Sequence, residues 1–367
     1  MDSVLMIKTL NILRDYPAPE YKKISSVPDL RNGIAVRMPN HLGDAMMALP
    51  ALMQLRKMLP QEYALTVVAP AYQRKLFNCL KEVDCFVKLD SPHKPWSLQE
   101  IRALKQLRPG VGILFNNSFR DAVMMRLAGI PTVYGSDRRM SKLVLSHAFH
   151  YPPRPEERAA EIHQANRLLE MVYALGAPKW DGTLPEFHLP TAAECSRQVT
   201  EACLHPKLLT VSPGAAYGAA KRWPAEYFSK VCEHWIKNDG IVAIVGTPSE
   251  KAIAAELASS LDSKKVIDLC GKTQLDELMT LIKSSVAVLA NDSGIMHLGA
   301  ALDRPGAAVF GPTDHTATGP ISPKWQLVIT EEKCGPCFKR VCPKNNPVCM
   351  LNITPDEVIT ALDKISQ

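Results

Sequence analysis

The stretch VAVLANDSGIMHLGAALDRPGAAVFGPTD, residues 286–314, decides the fold. An apolar run ends in Asn291 and Asp292, a turn follows, and an apolar helical segment leads to a second apolar run that ends in Gly311, Pro312, Thr313 and Asp314. Continuous apolar runs of this length are typical of parallel strands that are buried on both faces. The stretch therefore predicts a strand, a crossover helix and a neighbouring parallel strand, with polar side chains where both strands end.

The same alternation extends in both directions along the chain. In the first half, apolar runs lie at residues 34–38, 64–69, 85–90 and 111–116, with helical segments such as 45–58 and 120–128 between them. In the second half, the runs lie at residues 208–214, 241–246, 265–271, 286–292 and 307–313. Strands that alternate with helices indicate βαβ units, so we predict an α/β fold with a doubly wound parallel sheet in each half.

A Pro-rich polar stretch after the helical segment 163–176 interrupts this alternation and predicts a linker between two domains. We assign residues 1–30 to an N-terminal extension, 31–190 to the first domain, 191–350 to the second, and 351–367 to a C-terminal helix with Thr354 as N-cap. Doubly wound, Rossmann-like domains bind ligands at the carboxyl ends of their strands. We therefore expect the chemistry in a cleft on which both domains face.

Composition limits the classes of function. The 367-residue chain carries 43 Lys and Arg against 37 Asp and Glu, a net charge of +6 that is too small to indicate a nucleic-acid partner. No apolar run approaches the roughly 20 residues that span a bilayer. The N-terminal residues lack the apolar centre and cleavage site of a signal peptide, so we expect a cytoplasmic protein.

The N-terminal extension has its own pattern. Leu5, Leu10 and Leu13 predict a short amphipathic helix that packs on the protein or on a membrane surface. We expect the extension either to cover an edge of the N-terminal sheet or to help dock the protein on a membrane.

The segment MPNHLGDAMMALPAL, residues 38–52, places Asp44 at the start of a helix that follows a strand. One interpretation is that Asp44 caps the helix, since Asp is a favoured N-cap residue. The other is that Asp44 is a general base at the mouth of the cleft, where a single carboxylate can accept a proton from an attacking hydroxyl. His41 is a rival base or a binding group.

The segment VSPGAAYGAAKRWPAEYF, residues 211–228, joins a strand to a helix through a Gly-rich turn that contains Gly214 and is followed by Lys221. Small residues let backbone N–H groups approach an anion, and Lys221 adds a full positive charge. The segment thus indicates a pyrophosphate site. The alternative is a surface turn with a solvated Lys-Arg pair. The segment matches neither the Walker pattern nor GxGxxG.

In the strand-helix-strand stretch, hydroxyls, backbone amides and a histidine gather at adjacent strand ends. Ser293 and Gly294 begin a helix whose N–H groups can bind a phosphate, and His297 can donate to a phosphate oxygen. Thr313 follows the neighbouring strand. Alternatively, Asp292 and Ser293 only cap the helix, and His297 is a core residue whose hydrogen bonds are satisfied.

Four of the ten cysteines, Cys334, Cys337, Cys342 and Cys349, cluster in one short run. Four thiols in one loop have the composition of a structural, tetrahedral zinc site, and a reducing cytoplasm disfavours disulfides. The last two thiols are spaced unlike the paired CxxC of a zinc ribbon, so reduced thiols or oxidised pairs are alternatives. We predict no catalytic role for these thiols.

Together these segments resemble the heptosyltransferases of lipopolysaccharide core synthesis, glycosyltransferase family 9. The resemblance runs from Gly33 to Thr360 and is carried by LGDAMMALPAL, NSFRDAVMMRLAGIPTVYG, PGAAYGAAKRWP, NDSGIMHLGAAL, FGPTD and the Cys-rich run before ITPDEV. It implies a GT-B fold of two Rossmann-like domains and an inverting transfer of heptose from ADP-heptose, or a related nucleotide sugar, to the lipopolysaccharide inner core. It also implies that no catalytic metal or other cofactor is needed and that the acceptor is met at the inner-membrane surface.

The resemblance implies roles for individual residues. Asp44 is expected to be the general base and Lys221 a diphosphate contact. Further donor contacts are expected from Gly214, Asp292, Ser293, Gly294, His297 and Thr313. Glu250 follows a strand and is a candidate for binding the nucleoside ribose, or else an exposed first-turn residue.

Basic residues are candidates for contacts with acceptor carboxylates and phosphates, or else they are solvated surface charges. We rank Arg120 first because it lies in the NSFR motif, and the further candidates are Arg126, Arg138, Arg139, Lys142 and His41.

Other functions fit the same segments. One is a related transferase with another nucleotide sugar or acceptor, since motifs do not reveal the residues that select a sugar. Another is a nucleotide-sugar-binding protein without turnover, against which the presence of Asp44 argues. A dinucleotide-dependent oxidoreductase is disfavoured because neither half carries the glycine fingerprint after its first strand.

Overall fold

The computed structural model of the chain describes residues 4–8, 28–136, 140, 143–149 and 163–366. These residues form two compact units. The described residues of 28–188 form one, the N-terminal unit, and residues 4–8 together with 189–366 form the other, the C-terminal unit.

Strands and helices alternate through both units, as predicted. The strands are β1 (Val4–Lys8), β2 (Ile34–Arg37), β3 (Leu65–Pro70), β4 (Cys85–Leu89), β5 (Val111–Leu114), β6 (Thr132–Ser136), β7 (His147–Phe149), β8 (Leu208–Ser212), β9 (Ile241–Ile244), β10 (Val266–Asp268), β11 (Ala287–Asn291), β12 (Gly306–Phe310) and β13 (Trp325–Glu331). The helices are α1 (Leu42–Met58), α2 (Arg74–Asn78), α3 (Leu98–Leu107), α4 (Phe119–Leu127), α5 (Gln164–Ala174), α6 (Arg197–Cys203), α7 (Ala225–Lys237), α8 (Lys251–Ser259), α9 (Leu275–Ser284), α10 (Gly294–Ala301), α11 (His315–Thr318), α12 (Val348–Leu351) and α13 (Pro355–Ser366).

The sheet of the N-terminal unit is parallel throughout, with the strand order β4-β3-β2-β5-β6-β7. Val36 of β2 lies opposite Val67 on one side and Ile113 on the other. All residues of β2, β3 and β5 are buried, which explains why these strands are continuous apolar runs. The strand order reverses between β2 and β5, and such a switch point opens a crevice at the carboxyl ends of the two strands.

The sheet of the C-terminal unit has the order β1-β13-β12-β11-β8-β9-β10. Its strands β8 to β13 are parallel, and the order reverses between β8 and β11. A second switch point therefore lies where the Gly-rich turn and the Asn291-Asp292 pair follow their strands. The predicted α/β architecture is confirmed in both units.

The N-terminal extension departs from the prediction. Residues Val4–Lys8 form an edge strand that pairs antiparallel with β13, so the predicted helix is wrong at Leu5. An edge strand offers a row of unpaired N–H and C=O groups, and pairing by β1 satisfies that edge of β13. These five residues extend the C-terminal sheet and not the N-terminal one, whereas Leu10 and Leu13 lie outside the described residues.

Among the described helices, none combines the length and the apolar character that crossing a bilayer requires.

Close packing in the C-terminal sheet leads to a first prediction. A Cβ atom on Gly306 would lie 2.6 Å from carbons of the Trp325 ring and 2.7 Å from the carbonyl oxygen of Val288. The indole is fully buried, and its Nε1–H donates to the carbonyl of Arg304 at 2.9 Å, so it cannot retreat. We expect Gly306→Ala to lower the free energy of unfolding by about 1–3 kcal/mol, measured by chemical denaturation.

The matched control for this prediction is Leu204→Ala in the same unit, because the Leu204 side chain is exposed. We expect the control to shift the free energy of unfolding by less than about 0.5 kcal/mol. Equal effects of the two substitutions would contradict the packing described for Gly306.

Candidate functional site

A cavity of about 750 Å³ lies at the switch point of the N-terminal unit. The loop after β2, the loop after β5 and the start of α5 supply its walls. Its polar lining residues include Asn40, His41, Asp44, Asn116, Arg120 and Arg167. Amides, a carboxylate and guanidinium groups around a cavity of this size suit a polar, anionic ligand such as a sugar acid or a phosphorylated sugar.

Asp44 is the third residue of α1 and lies half-buried in the cavity wall. The N-cap is His41, whose side chain makes no capping hydrogen bond. The interpretation of Asp44 as the N-cap is therefore wrong. A carboxylate in the first turn is still favoured there, because the N-terminus of a helix carries positive potential. His41 is exposed in the same wall.

A buried ion pair joins the two strands that flank this switch point. Arg37, the last residue of β2, donates from Nε to Oδ2 of Asp121 at 2.9 Å, and both side chains are fully buried. Asp121 lies in the first turn of α4, directly after β5. Burial lowers the pKa of the Arg37 guanidinium, and the charge of Asp121 opposes that shift. Arg37 also donates to Oδ1 of Asn40 at 2.6 Å, in the cavity wall.

Asp121 accepts three further hydrogen bonds. The donors are Nδ2 of Asn116 at 2.5 Å, Nε1 of Trp96 at 3.1 Å and Nε of Arg120 at 3.2 Å. Asn116 and Arg120 both line the cavity, so the buried carboxylate of Asp121 orients two polar side chains of the cavity wall. We did not predict this role for Asp121. The signal in the sequence is Arg37, a charged residue inside an apolar strand, because a fully buried charge requires a partner.

The other basic candidates have different surroundings. Arg120 lines the cavity, as proposed, although its Nη2 also donates to the carbonyl of Pro92 at 2.7 Å. Arg126 donates from Nε to the carbonyl of Val144 and from Nη2 to the hydroxyl of Ser146, so it holds the segment before β7 rather than lining the cavity. Arg138, Arg139 and Lys142 lie outside the described residues.

The helix α5 contributes cavity residues that we did not predict. Gln164 and Arg167 lie on its first turn and line the cavity. Neither belongs to a motif, and only the folding of the chain brings α5 to the ends of β2 and β5.

At the switch point of the C-terminal unit, two predicted residues, Lys221 and Thr313, contact the carboxylate of a third, Asp292. Nζ of Lys221 lies 2.6 Å from Oδ2 of Asp292, with the two side chains 11% and 6% exposed. The hydroxyl of Thr313 donates to the same oxygen at 2.6 Å. The alternative of a solvated lysine is therefore wrong for Lys221, whose charge is offset by a buried anion.

The Gly-rich loop, residues 213–221, is fixed to the neighbouring strand. Nδ2 of Asn291 donates to the carbonyl of Pro213 at 2.8 Å, and Oδ1 of Asn291 accepts from the backbone N–H of Trp223 at 3.1 Å. The Trp223 indole is fully buried and donates to the carbonyl of Ile353 at 2.9 Å. Hydrogen bonds within the chain thus fix the loop at both of its ends.

The start of α10 has unused hydrogen-bonding capacity. Ser293 is the N-cap, but its side chain makes no capping hydrogen bond, and its buried Oγ has no partner among the described residues. The first N–H groups of a helix lack intrahelical acceptors and attract anions. His297 is buried in the first turn, four residues after Ser293. An unpaired hydroxyl beside the first N–H groups of a helix suits an anionic ligand, and donor binding by Ser293 stays a prediction.

Glu250 is buried and belongs to a capping box. Its Oε2 accepts from the backbone N–H of Thr247 at 2.7 Å and from the Thr247 hydroxyl at 2.8 Å. The alternative of an exposed Glu250 is therefore wrong. A Cβ atom on Gly214 would lie 2.0 Å from Oε1 of Glu250, so only glycine lets the carboxylate lie against the Gly-rich loop.

The Cys-rich loop, residues 334–349, contains the four thiols of the predicted zinc site. Among the described residues, which include this whole loop, no group of three or more His, Cys, Asp or Glu side chains is arranged to hold a metal ion. Burial, together with the nearby thiols of Cys334, Cys337 and Cys342, raises the pKa of Cys349 to about 11. The zinc site predicted for these four thiols stays a prediction.

Comparison with known proteins agrees with this fold. The family model described as "Glycosyltransferase family 9 (heptosyltransferase)" matches residues 98–347. Lipopolysaccharide heptosyltransferase 2 of Salmonella typhimurium is 27% identical over 346 residues, which cover 90% of this chain and 98% of that protein.

Solved structures agree as well. The structure of Escherichia coli ADP-heptose lps heptosyltransferase II has a TM-score of 0.73 at 24% identity and covers 91% of this chain and 98% of its own. A glycosyl transferase family 9 structure from Veillonella parvula has a TM-score of 0.76 at 20% identity, and the match covers 91% of this chain and 96% of that one. The predicted GT-B class, with two Rossmann-like units, is confirmed.

The buried ion pair at the cavity leads to a second prediction. Asp121→Asn keeps the shape of the side chain but leaves the buried charge of Arg37 without its partner. We expect the free energy of unfolding to fall by about 3–5 kcal/mol, measured by chemical denaturation of the N-terminal unit. The control is Asp29→Asn, which removes an ion pair with Arg31 at the surface. That control is expected to leave stability unchanged, and a similar small effect of Asp121→Asn would refute the proposed strength of the buried pair.

Proposed function

The chain belongs to glycosyltransferase family 9 (heptosyltransferase), and we propose that it transfers a heptose from ADP-heptose to the inner core of lipopolysaccharide. The family membership makes it a glycosyltransferase. The proposed donor and acceptor follow from the names of its relatives, lipopolysaccharide heptosyltransferase 2 and ADP-heptose lps heptosyltransferase II. We propose inversion at the anomeric carbon, no catalytic metal, and Asp44 as the general base.

The observation that carries the mechanism is the position of Asp44. Its carboxylate lines a cavity whose other polar walls are amides and guanidinium groups. An acceptor sugar bound there presents its hydroxyls to a single nearby carboxylate. A general base must lie within hydrogen-bonding reach of the proton that it removes.

The proposed reaction is a direct displacement. The acceptor hydroxyl oxygen attacks the anomeric carbon of the heptose from the face opposite the diphosphate, while Asp44 takes the hydroxyl proton. A new C–O bond forms as the bond between the anomeric carbon and the diphosphate oxygen breaks, and ADP leaves with the electron pair. Attack from the opposite face inverts the anomeric configuration.

Negative charge then accumulates on the departing diphosphate. Lys221, the hydroxyl of Ser293 and the first N–H groups of α10 form a preorganised set of donors for that charge. His297 and Thr313 are proposed as further contacts to the donor. Glu250, beside Gly214, is proposed to accept from ribose hydroxyls through its carboxylate.

The acceptor site carries positive charge. Arg120 and Arg167 both line the cavity, and guanidinium groups pair with carboxylates and phosphates through two parallel hydrogen bonds. We propose that they bind anionic groups of the inner core, with His41 beside them. The lipid part of such an acceptor lies in a membrane, so we propose that the enzyme works at the surface of the inner membrane.

A panel assay tests the proposed reaction. The protein is incubated with ADP-heptose and other nucleotide sugars and with truncated core acceptors, and product mass and released nucleoside diphosphate are measured. We expect acceptor heptosylation and ADP release with ADP-heptose. If only a different nucleotide sugar gives product, that sugar is the donor and ADP-heptose is not. If nucleotide sugars bind but none gives product, the protein is not catalytic.

The role of Asp44 gives a third prediction. Asp44→Asn removes the proposed base at nearly constant size, and we expect kcat to fall by about 10²–10⁴-fold while the Kd for ADP changes little. The control is Asp90→Asn, an exposed carboxylate beside Lys88. Unaltered turnover in the Asp44 variant would rule out the assigned base, whereas loss of ADP binding would point to a donor contact or a folding defect.

A further inference from the structure

The Cys-rich loop is hydrogen-bonded to the Gly-rich loop of the donor site. The hydroxyl of Tyr217 donates to the carbonyl of Phe338 at 2.8 Å. The backbone N–H of Ala220 donates to the carbonyl of Arg340 at 3.0 Å. Residues 338–340 therefore lie directly against the segment that carries Lys221.

Two more contacts fix the position of this loop. A Cβ atom on Gly218 would lie 2.3 Å from the carbonyl oxygen of Arg340, so the close approach requires glycine. The backbone N–H of Phe338 donates to the carbonyl of Pro312 at 2.9 Å. Pro312 follows β12, whereas Gly218 follows β8, so the Cys-rich loop is attached to two of the loops that form the donor site.

Arg340 and Lys221 share one aromatic ring. Nζ of Lys221 lies 4.7 Å from the centroid of the Tyr217 ring, and Cζ of Arg340 lies 5.3 Å from the same centroid. Cations near an aromatic ring are held by its negative face, so Tyr217 positions both charges without neutralising either. Two positive side chains are thereby brought to the edge of the donor site.

The two cations differ in how their charge is balanced. Lys221 is paired at 2.6 Å with the buried carboxylate of Asp292. Arg340 is exposed, and among the described residues no carboxylate forms an ion pair with it. A diphosphate brings more than one negative charge, and the neutral Lys221–Asp292 pair alone cannot balance it. The guanidinium of Arg340 has the unbalanced charge, and its geometry suits phosphate oxygens.

We propose that Arg340 is a second cationic contact for the diphosphate of the nucleotide donor, and that the Cys-rich loop serves to present it. This inference rests on the proposed function of the C-terminal unit as the donor site. It assigns a purpose to a loop that the transfer mechanism does not otherwise use. Because Arg340 lies between Cys337 and Cys342, the conformation of the Cys-rich loop sets the position of its guanidinium.

Ligand titration of the full chain tests the proposal and gives a fourth prediction. Calorimetry measures the Kd of ADP and of adenosine for the wild type and for Arg340→Gln, Arg340→Lys and Lys344→Gln. We expect Arg340→Gln to weaken ADP binding about tenfold, as loss of one charge-assisted contact does. Adenosine binding should not change, because adenosine has no phosphate. Arg340→Lys should restore most of the affinity for ADP.

The controls separate this contact from other causes. Lys344 is an exposed lysine of the same loop, and Lys344→Gln removes an equal charge without touching Tyr217, so ADP binding should be kept. Raising the salt concentration should weaken ADP binding to the wild type more than to Arg340→Gln, since salt screens exposed charges.

Three outcomes would overturn the inference. If Arg340→Gln binds ADP as tightly as the wild type while Lys221→Gln binds it more weakly, the inference alone fails and the donor site stands. If Arg340→Gln weakens ADP and adenosine equally, Arg340 has only a structural role. If the wild type binds ADP no more tightly than adenosine, no diphosphate contact exists, and the proposed donor site fails together with the inference.

Discussion

In each unit, an ion pair joins the two strand-and-helix segments between which the sheet reverses its order. Arg37 at the end of β2 pairs with Asp121 after β5, and Lys221 after β8 pairs with Asp292 after β11. At such a switch point, the loops that follow the two strands separate and leave a crevice. Polar backbone groups and side chains that are buried there need hydrogen-bond partners. A buried carboxylate bonded to several donors meets that requirement and fixes the surrounding loops. Because the cost of leaving one of these charges unpaired is high, each pair holds the surrounding loops in position.

The same constraint positions the proposed chemistry. Asp121 orients Asn116 and Arg120 in the wall of the cavity that Asp44 also lines, and Asp292 gathers Lys221 and Thr313 beside the start of α10. Groups held in place before binding need no reorganisation when charge develops, which is the usual source of electrostatic catalysis. In the proposed donor site, the buried hydroxyl of Ser293 has no hydrogen-bond partner among the described residues.

The predictability of the fold follows from burial. Strands β2, β3, β5, β8, β9, β11 and β12 could be predicted because central parallel strands are apolar on both faces, and the edge strands β4 and β10 still show short apolar runs. Strand β7 spans His147–Phe149 and is too short to show a pattern, and β1 was mistaken for a helix because pairing with β13, not local periodicity, decides its conformation. Asp44, Lys221 and Asp292 were predictable because each lies in a segment that joins a strand to the next helix or begins that helix. The partners of Arg37 and Tyr217 were not, since Asp121 is 84 residues from Arg37 and Phe338 is 121 residues from Tyr217.

The most direct test of the account is a crystal structure of the full chain with bound ADP. We predict diphosphate oxygens about 3 Å from Nζ of Lys221 and from the hydroxyl of Ser293, at the start of α10. A diphosphate bound elsewhere, with the hydroxyl of Ser293 still unpaired and no phosphate at the β8–β11 switch point, would contradict it.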